Sequence, residues 1–192
     1  MEDSPFWIYF EKFIPKEDAD SYFQRCTKEV KFEQWKYEYE DKVGPRPRLS
    51  KFYKANEDSN PQVIQELMTL MNLLLKEEEL QKTFNIPPGI QFDSVLVHCY
   101  RDGKDHIAKH SDKEAKDTFV FGLSLGAVRK MRFRCIRNKA LQYTYDLQNG
   151  SLYIMRPGCQ ELFTHEIVKT LAKNQPGPRI SLTFRHDNKP YK

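Results

Sequence analysis

The chain has 192 residues, 39% hydrophobic and 30% charged, which is enough for one substantial core and too apolar for a disordered polymer. Its 31 Lys and Arg against 27 Asp and Glu leave a net charge of only +4, too mild to imply a polyanionic partner by itself. No apolar run of about 18 residues offers a membrane span. The opening MEDSPFWIYF is not built like a secretory signal, and Cys26, Cys99, Cys135 and Cys159 show no C-x-x-C spacing. A protein of a reducing intracellular setting, cytoplasmic or nuclear, is expected, with no disulfide framework or zinc ribbon.

Ile14, Ala19, Tyr22, Phe23, Cys26 and Val30 recur at helical spacing and predict an amphipathic helix over residues ~16–31. VGPRPRLSKFYKANEDSN follows as a loop or irregular strand. Asn60 as N-cap and Pro61 at the first helical position open a stronger helix. Its stripe of Val63, Ile64, Leu67, Leu70, Met71 and Leu74 reads as ordinary core, and Glu77–Glu79 as a solvated helix end. From Gln91 the period changes to two. QFDSVLVHCY, DTFVFGLSLG, RKMRFRCI, LQYTYDL, SLYIM, ELFTHEI and RISLTFR all read as strands. Asn149-Gly150 between two of them predicts a type I′ hairpin. Such a run of short strands without helices between them argues for a sandwich or barrel with the helices packed outside. One domain over 1–192 is expected, with a helical and lid extension over 1–90 and a β core over 91–187.

The stretch HCYRDGKDHIAKHSD, His98 to Asp112, carries the chemistry. His110 and Asp112 stand two apart, the spacing that points side chains to one strand face. With His165 they form two imidazoles and one carboxylate, the set that holds non-haem Fe(II) and leaves positions open. A bare H-x-D is weak evidence. It gains weight from His165 in the apolar ELFTHEI, where an unpaired ring is costly, and from the arginine strand that follows. There Ile180, Leu182 and Phe184 face one way, and Arg179, Ser181, Thr183 and Arg185 the other. Two guanidinium groups facing one way inside a β core call for anions; an edge strand with a solvated face is the competing reading. A dicarboxylate such as 2-oxoglutarate meets both needs, with one carboxylate for the metal and one for an arginine fork. Tyr100, on the same strand face as His98, is either a hydroxyl donor to that ligand or a packed core tyrosine.

At these residues the chain resembles the AlkB family of Fe(II)- and 2-oxoglutarate-dependent dioxygenases. The similarity covers roughly residues 45–186 and rests on YRDG (Tyr100–Gly103), HSDKE (His110–Glu114), SLGAVRKM (Ser124–Met131), His165 and RISLTFR. It implies an α+β, mainly β fold: a double-stranded β-helix, or jelly roll, with packed N-terminal helices. By resemblance His110, Asp112 and His165 are the metal ligands and catalytic residues, and O₂ is the second cosubstrate. Arg179 anchors the distal 2-oxoglutarate carboxylate with Tyr100 as hydroxyl partner, and Arg185 lies near the metal-side carboxylate. Two positions depart from the family. His98 stands where an Asn-x-Tyr motif has Asn, and Ser181 where RxN has Asn; both can hydrogen-bond and are kept as cosubstrate residues. In the lid, Pro47-Arg48 and Tyr53 fit the nucleotide-recognition segment, but its later aromatic cluster is missing.

The resemblance further implies oxidative demethylation of 1-methyladenine- or 3-methylcytosine-type bases in DNA or RNA, releasing formaldehyde, succinate and CO₂. Such an enzyme draws the base out of its stack, with Arg48 and Tyr53 as substrate contacts. Glu114 either touches the flipped base or is a solvated loop residue. Two basic clusters, Arg46/Arg48/Lys51/Lys54 and Lys130/Arg132/Arg134, either track phosphates or are solvated faces. Competing readings are an oxygenase acting on protein or lipid, and a catalytically silent jelly roll. Neither a membrane nor an obligate protein partner is expected.

Overall fold

A computed structural model describes residues 6–39, 42–55, 57–170 and 175–186. In chain order these form β1 (Trp7–Phe10), α1 (Lys16–Glu29), β2 (Lys36–Tyr39), β3 (Lys42–Pro45), β4 (Leu49–Lys54), α2 (Gln62–Leu74), α3 (Glu78–Phe84), β5 (Ser94–Tyr100) and β6 (Ile107–His110). There follow β7 (Val120–Gly126), β8 (Arg129–Cys135), β9 (Gln142–Leu147), β10 (Ser151–Met155), α4 (Cys159–Leu162), β11 (Phe163–Ile167) and β12 (Arg179–Arg185). A six-stranded antiparallel sheet runs β1-β10-β7-β12-β5-β4, and a four-stranded one β6-β11-β8-β9. Together they make the jelly-roll core that the resemblance implies, a form of the sandwich or barrel that the alternating second half predicts.

Strand alternation decides where each side chain goes. On the larger sheet Val95, Val97, Phe121, Leu123, Leu152, Ile154, Ile180, Leu182 and Phe184 meet Val63, Ile64, Leu67 and Met71 of α2 in one core cluster. The opposite face looks toward the smaller sheet, where Trp7, Tyr100, Met131, Phe133, Tyr153, Phe163 and Ile167 form a second cluster. Trp7 stacks on Phe133 at 4.1 Å and takes Phe163 edge-on at 4.9 Å. Each such aromatic contributes on the order of 2–3 kcal/mol by burial. Among the described residues no helix is long and apolar enough to cross a membrane, and all four cysteines are free.

Several local expectations change. The Asn149-Gly150 pair does not close a hairpin. β9 pairs with β8 and β10 with β7 and β1, so the turn carries the chain from one sheet to the other. Only Gly150 takes a positive φ (78°), whereas a type I′ turn needs two. Asn149 instead accepts the Gly126 amide at 2.8 Å and donates to Asp20 at 2.7 Å. α2 begins one residue later than its composition suggests. Asn60 turns its amide to the Lys54 carbonyl, and Glu29 of α1 accepts the orphan Val63 N–H. ELFTHEI divides, its first two residues belonging to α4. Glu77–Glu79 leads into a helix of its own, α3. The segment expected to be an extension supplies β1 and β4, the two edge strands of the larger sheet; residue 187, the expected end of the core, lies outside the described residues.

Candidate active site

β6 and β11 are neighbours in the smaller sheet, with His110 directly opposite His165. Their rings lie 4.2 Å apart. β6 ends at His110, so Asp112 does not share a strand face with it. A one-turn 3-10 helix (Lys113–Ala115) follows, and the Ala115 amide donates to the Asp112 carbonyl. Buried Gln160 of α4 accepts the Asp112 amide at 2.9 Å. A turn and a glutamine, rather than a pleat, aim this carboxylate. Nothing in the sequence around Gln160 announces that tether.

The result is tight. One donor atom from each of His110, Asp112 and His165 lies within 4.8 Å of the others. Asp112 Oδ1 is 3.6 Å from His110 Nε2, and Oδ2 is 3.7 Å from His165 Nε2. His110 Nδ1 bonds the Ala108 carbonyl at 2.9 Å, which leaves Nε2 as the free donor. Arg185 grips Asp112 Oδ2 at 2.9 Å. Burial acts to raise the Asp112 pKa, but Arg185 and the three surrounding imidazoles outweigh it and hold the group at about 2. Burial, then His110, pushes His165 down to about 3. An ionised carboxylate beside a neutral imidazole is the state a divalent metal requires.

Around these groups lies a cleft of about 570 Å³, lined among others by His98, Tyr100, Glu114, Tyr153, Ser181, Thr183 and Arg185. His98 is buried beside Ser50, with Nδ1 2.9 Å from the Ser50 Oγ. Burial, then Arg48 and Arg185, holds its pKa well below the ordinary imidazole value. Arg179 is fully buried behind the Tyr100 ring, 5.2 Å from its centroid. It donates to Ser124 Oγ at 2.8 Å, while its Nε and Nη1 find no acceptor. Two stranded N–H groups on a desolvated guanidinium cost free energy until an anion meets them. Arg129, which the sequence reading passed over, flanks Tyr100 from the other side at 5.6 Å and bonds the carbonyls of Asp102, Asp105 and Val168.

The mouth matches the sequence reading less closely. Arg48 lines it, 7% exposed, with Nη1 3.3 Å from the His106 carbonyl. Glu114 sits exposed at the rim. Tyr53 is elsewhere: it is buried in the helix-side cluster, because strand alternation on β4 turns Phe52 toward the cleft instead. Trp35, absent from the expectations, also lines the mouth, with the Arg46 guanidinium 5.8 Å from its ring. Of the second basic cluster, Lys130 pairs with Asp146, and Arg132 and Arg134 with Glu166. Two carboxylates thus partly neutralise the three cations of that strand face.

The jelly-roll fold and the converging His-Asp-His donors are those of the 2-oxoglutarate/Fe(II) oxygenase class. Residues 6–185 match the family model described as the 2OG-Fe(II) oxygenase superfamily. Mouse alpha-ketoglutarate-dependent dioxygenase alkB homolog 3 is 31% identical over 90% of this chain and 63% of its own length. Mouse DNA oxidative demethylase ALKBH2 is 36% identical over 50% of this chain and 44% of its own. Among solved structures, OsALKBH1 superposes with a TM-score of 0.61 at 19% identity, over 97% of this chain and all of that one. A Pseudomonas putida prolyl-4-hydroxylase reaches 0.60 at 12%, over 96% of this chain and 93% of its own. The last two speak for the fold alone. The chain belongs to the 2OG-Fe(II) oxygenase superfamily, and the relatives it resembles in sequence include alkB homologs. Its cofactors are Fe(II), 2-oxoglutarate and O₂. The donor set fits them: converging donor atoms of His110, Asp112 and His165 beside a buried guanidinium whose Nε and Nη1 lack acceptors. The chain spans about 63% of the length of the mouse homolog 3 relative.

Proposed function

We propose that this chain oxidatively removes N-linked alkyl groups, of the 1-methyladenine or 3-methylcytosine type, from DNA or RNA. Formaldehyde, succinate and CO₂ are the other products. The observation that carries the reading is a single cleft with a His-Asp-His donor set at its floor and aromatic and arginine side chains at its mouth. Relatives named for alpha-ketoglutarate-dependent dioxygenation and DNA oxidative demethylation support it.

Each residue then has a task. His110, Asp112 and His165 hold Fe(II). Arg179 and Tyr100 take the distal carboxylate of 2-oxoglutarate; Arg185 takes the metal-side carboxylate while keeping Asp112 ionised. Ser181 and the cleft-facing nitrogen of His98 complete the polar wall. When bound, the iron and keto acid use O₂ to oxidise the N-methyl carbon while the keto acid loses CO₂. Trp35 and Phe52 offer flat faces for the extruded base, which suit the cationic character of an N-methylated ring. Glu114 accepts from its exocyclic amine, and Arg46 and Arg48 meet the flanking phosphates.

The test is formaldehyde release from oligonucleotides carrying 1-methyladenine or 3-methylcytosine, in the presence of Fe(II) and 2-oxoglutarate. Asp112→Ala should release none. Turnover confined to a peptide or lipid substrate would refute the nucleic-acid reading, and an inert wild-type protein would refute the enzyme. Binding should also fall steeply with added salt.

A further inference from the structure

One strand interior is built around an absence. Gly122 lies in the middle of β7, where all residues around it are buried, a place where glycine weakens a strand and marks a close approach. What approaches is Tyr153. The two residues face each other on the β7–β10 ladder. An added Cβ at Gly122 would lie 1.9 Å from the Tyr153 Cζ and 2.4 Å from its hydroxyl. The ring lies flat across the glycine, over the strand rather than away from it. On its far side the partner of Gly122 is Thr183 of β12. The phenol therefore crosses β7 and reaches the wall carrying Arg179, Ser181 and Arg185, and it lines the same cleft as the metal-ligand set.

Arg179 brings two N–H groups without acceptors, and Tyr100 packs on the guanidinium. The Tyr153 hydroxyl lies at Thr183, within electrostatic reach of Arg179 and Tyr100. Burial, the largest influence, pushes the Tyr153 phenol up to about 12, so at neutral pH it is a protonated donor. The glycine leaves room for the ring to lie across β7 and carry its hydroxyl to the cleft side.

We propose that Tyr153 is a cosubstrate-binding and length-determining residue. Its hydroxyl donates to the distal carboxylate of the keto acid beside Arg179 and Tyr100. Its ring, seated over Gly122, closes the cleft at the length of a five-carbon keto diacid. The proposal deepens the assignment of this cleft to 2-oxoglutarate and rests on it.

The test is anaerobic calorimetric titration of the Mn(II)-loaded full chain with 2-oxoglutarate and with its six-carbon homologue 2-oxoadipate. Tyr153→Phe keeps the ring and loses one charge-assisted hydrogen bond, so 2-oxoglutarate should bind about 10- to 100-fold more weakly with Mn(II) affinity unchanged. Tyr153→Leu should shift the affinity ratio toward 2-oxoadipate by about tenfold or more. Gly122→Ala evicts the ring and should reproduce the loss, although residue 122 touches no ligand. Should that variant fail to fold, Tyr153→Phe decides alone. Unchanged 2-oxoglutarate affinity in Tyr153→Phe overturns the proposal while leaving the cleft assignment standing. A wild-type chain that binds no 2-oxoglutarate overturns both.

Discussion

Strand β12 has two faces, and solvent does not tell them apart. Ile180, Leu182 and Phe184 lie under the helices, Arg179, Ser181, Thr183 and Arg185 toward the cleft, and all seven are between 0% and 6% exposed. What separates them is hydrogen-bond accounting. The helix side is apolar and has nothing left to satisfy. The cleft side holds a guanidinium with two donors and no acceptor. Native cores rarely leave such groups stranded, so an unmet donor in a dry wall is a better marker of a ligand than burial or charge. Apolar packing occupies one face, and donors without acceptors the other.

The largest expected effect strikes the cleft side. Asp112→Ala should abolish both Fe(II) binding and formaldehyde release, read by metal titration and turnover, with little change in far-UV circular dichroism. Next comes the helix side: Leu182→Ala should cost about 2–5 kcal/mol in chemical denaturation, yet leave 2-oxoglutarate affinity in the folded protein near wild type. If affinity fell in parallel, the two faces would not be separable. Arg179→Met should weaken 2-oxoglutarate binding about 100-fold, while the apo protein melts no lower than wild type, because an uncompensated buried charge has been removed. At the mouth, Trp35→Ala should cost the oligonucleotide about 1–3 kcal/mol of binding and leave the keto acid untouched.

The smallest effect belongs to the helix side at high pH. Burial holds the Cys26 thiol up at about 12, against 9.0 for an ordinary thiol. A raised folded-state pKa means its contribution to stability is complete below pH 9 and lost as pH rises toward 12. Melting temperature should therefore fall above pH 9, and the Cys26→Ala protein should show a shallower decline.

The alternation of β12 and the helix stripe were readable in the sequence, because each depends on spacing within one segment; His110, Asp112 and His165 were picked out by residue type and resemblance, although the strand-face reason for Asp112 fails. The failures cross segments. Tyr53 was expected beside Arg48, but the register of β4 against β5 gives the cleft to Phe52. Asn149-Gly150 carried a strong local turn signal, and only sheet pairing shows that it joins two different sheets. Gln160 reaches Asp112 from a single helical turn, and the Gly122–Tyr153 fit joins residues that meet only across a ladder. Trp35 belongs to a short alternation, with Tyr37 and Tyr39 interleaved with Lys36 and Glu38, but its place at the cleft depends on where that strand folds back, which its own segment does not encode.

β6 is four residues long and forms the rim of its sheet, with β11 as its sole hydrogen-bonded neighbour among the described residues. The donor set straddles that seam: His110 ends β6, His165 lies inside β11, and Asp112 follows on the turn. An ion held by all three would work as a rivet, fastening this short rim strand to the interior of the sandwich. Metal loss would then loosen a sheet border as well as silence the chemistry. A frayed border of that kind invites pairing with another chain, so iron supply and resistance to aggregation become linked in the same few side chains.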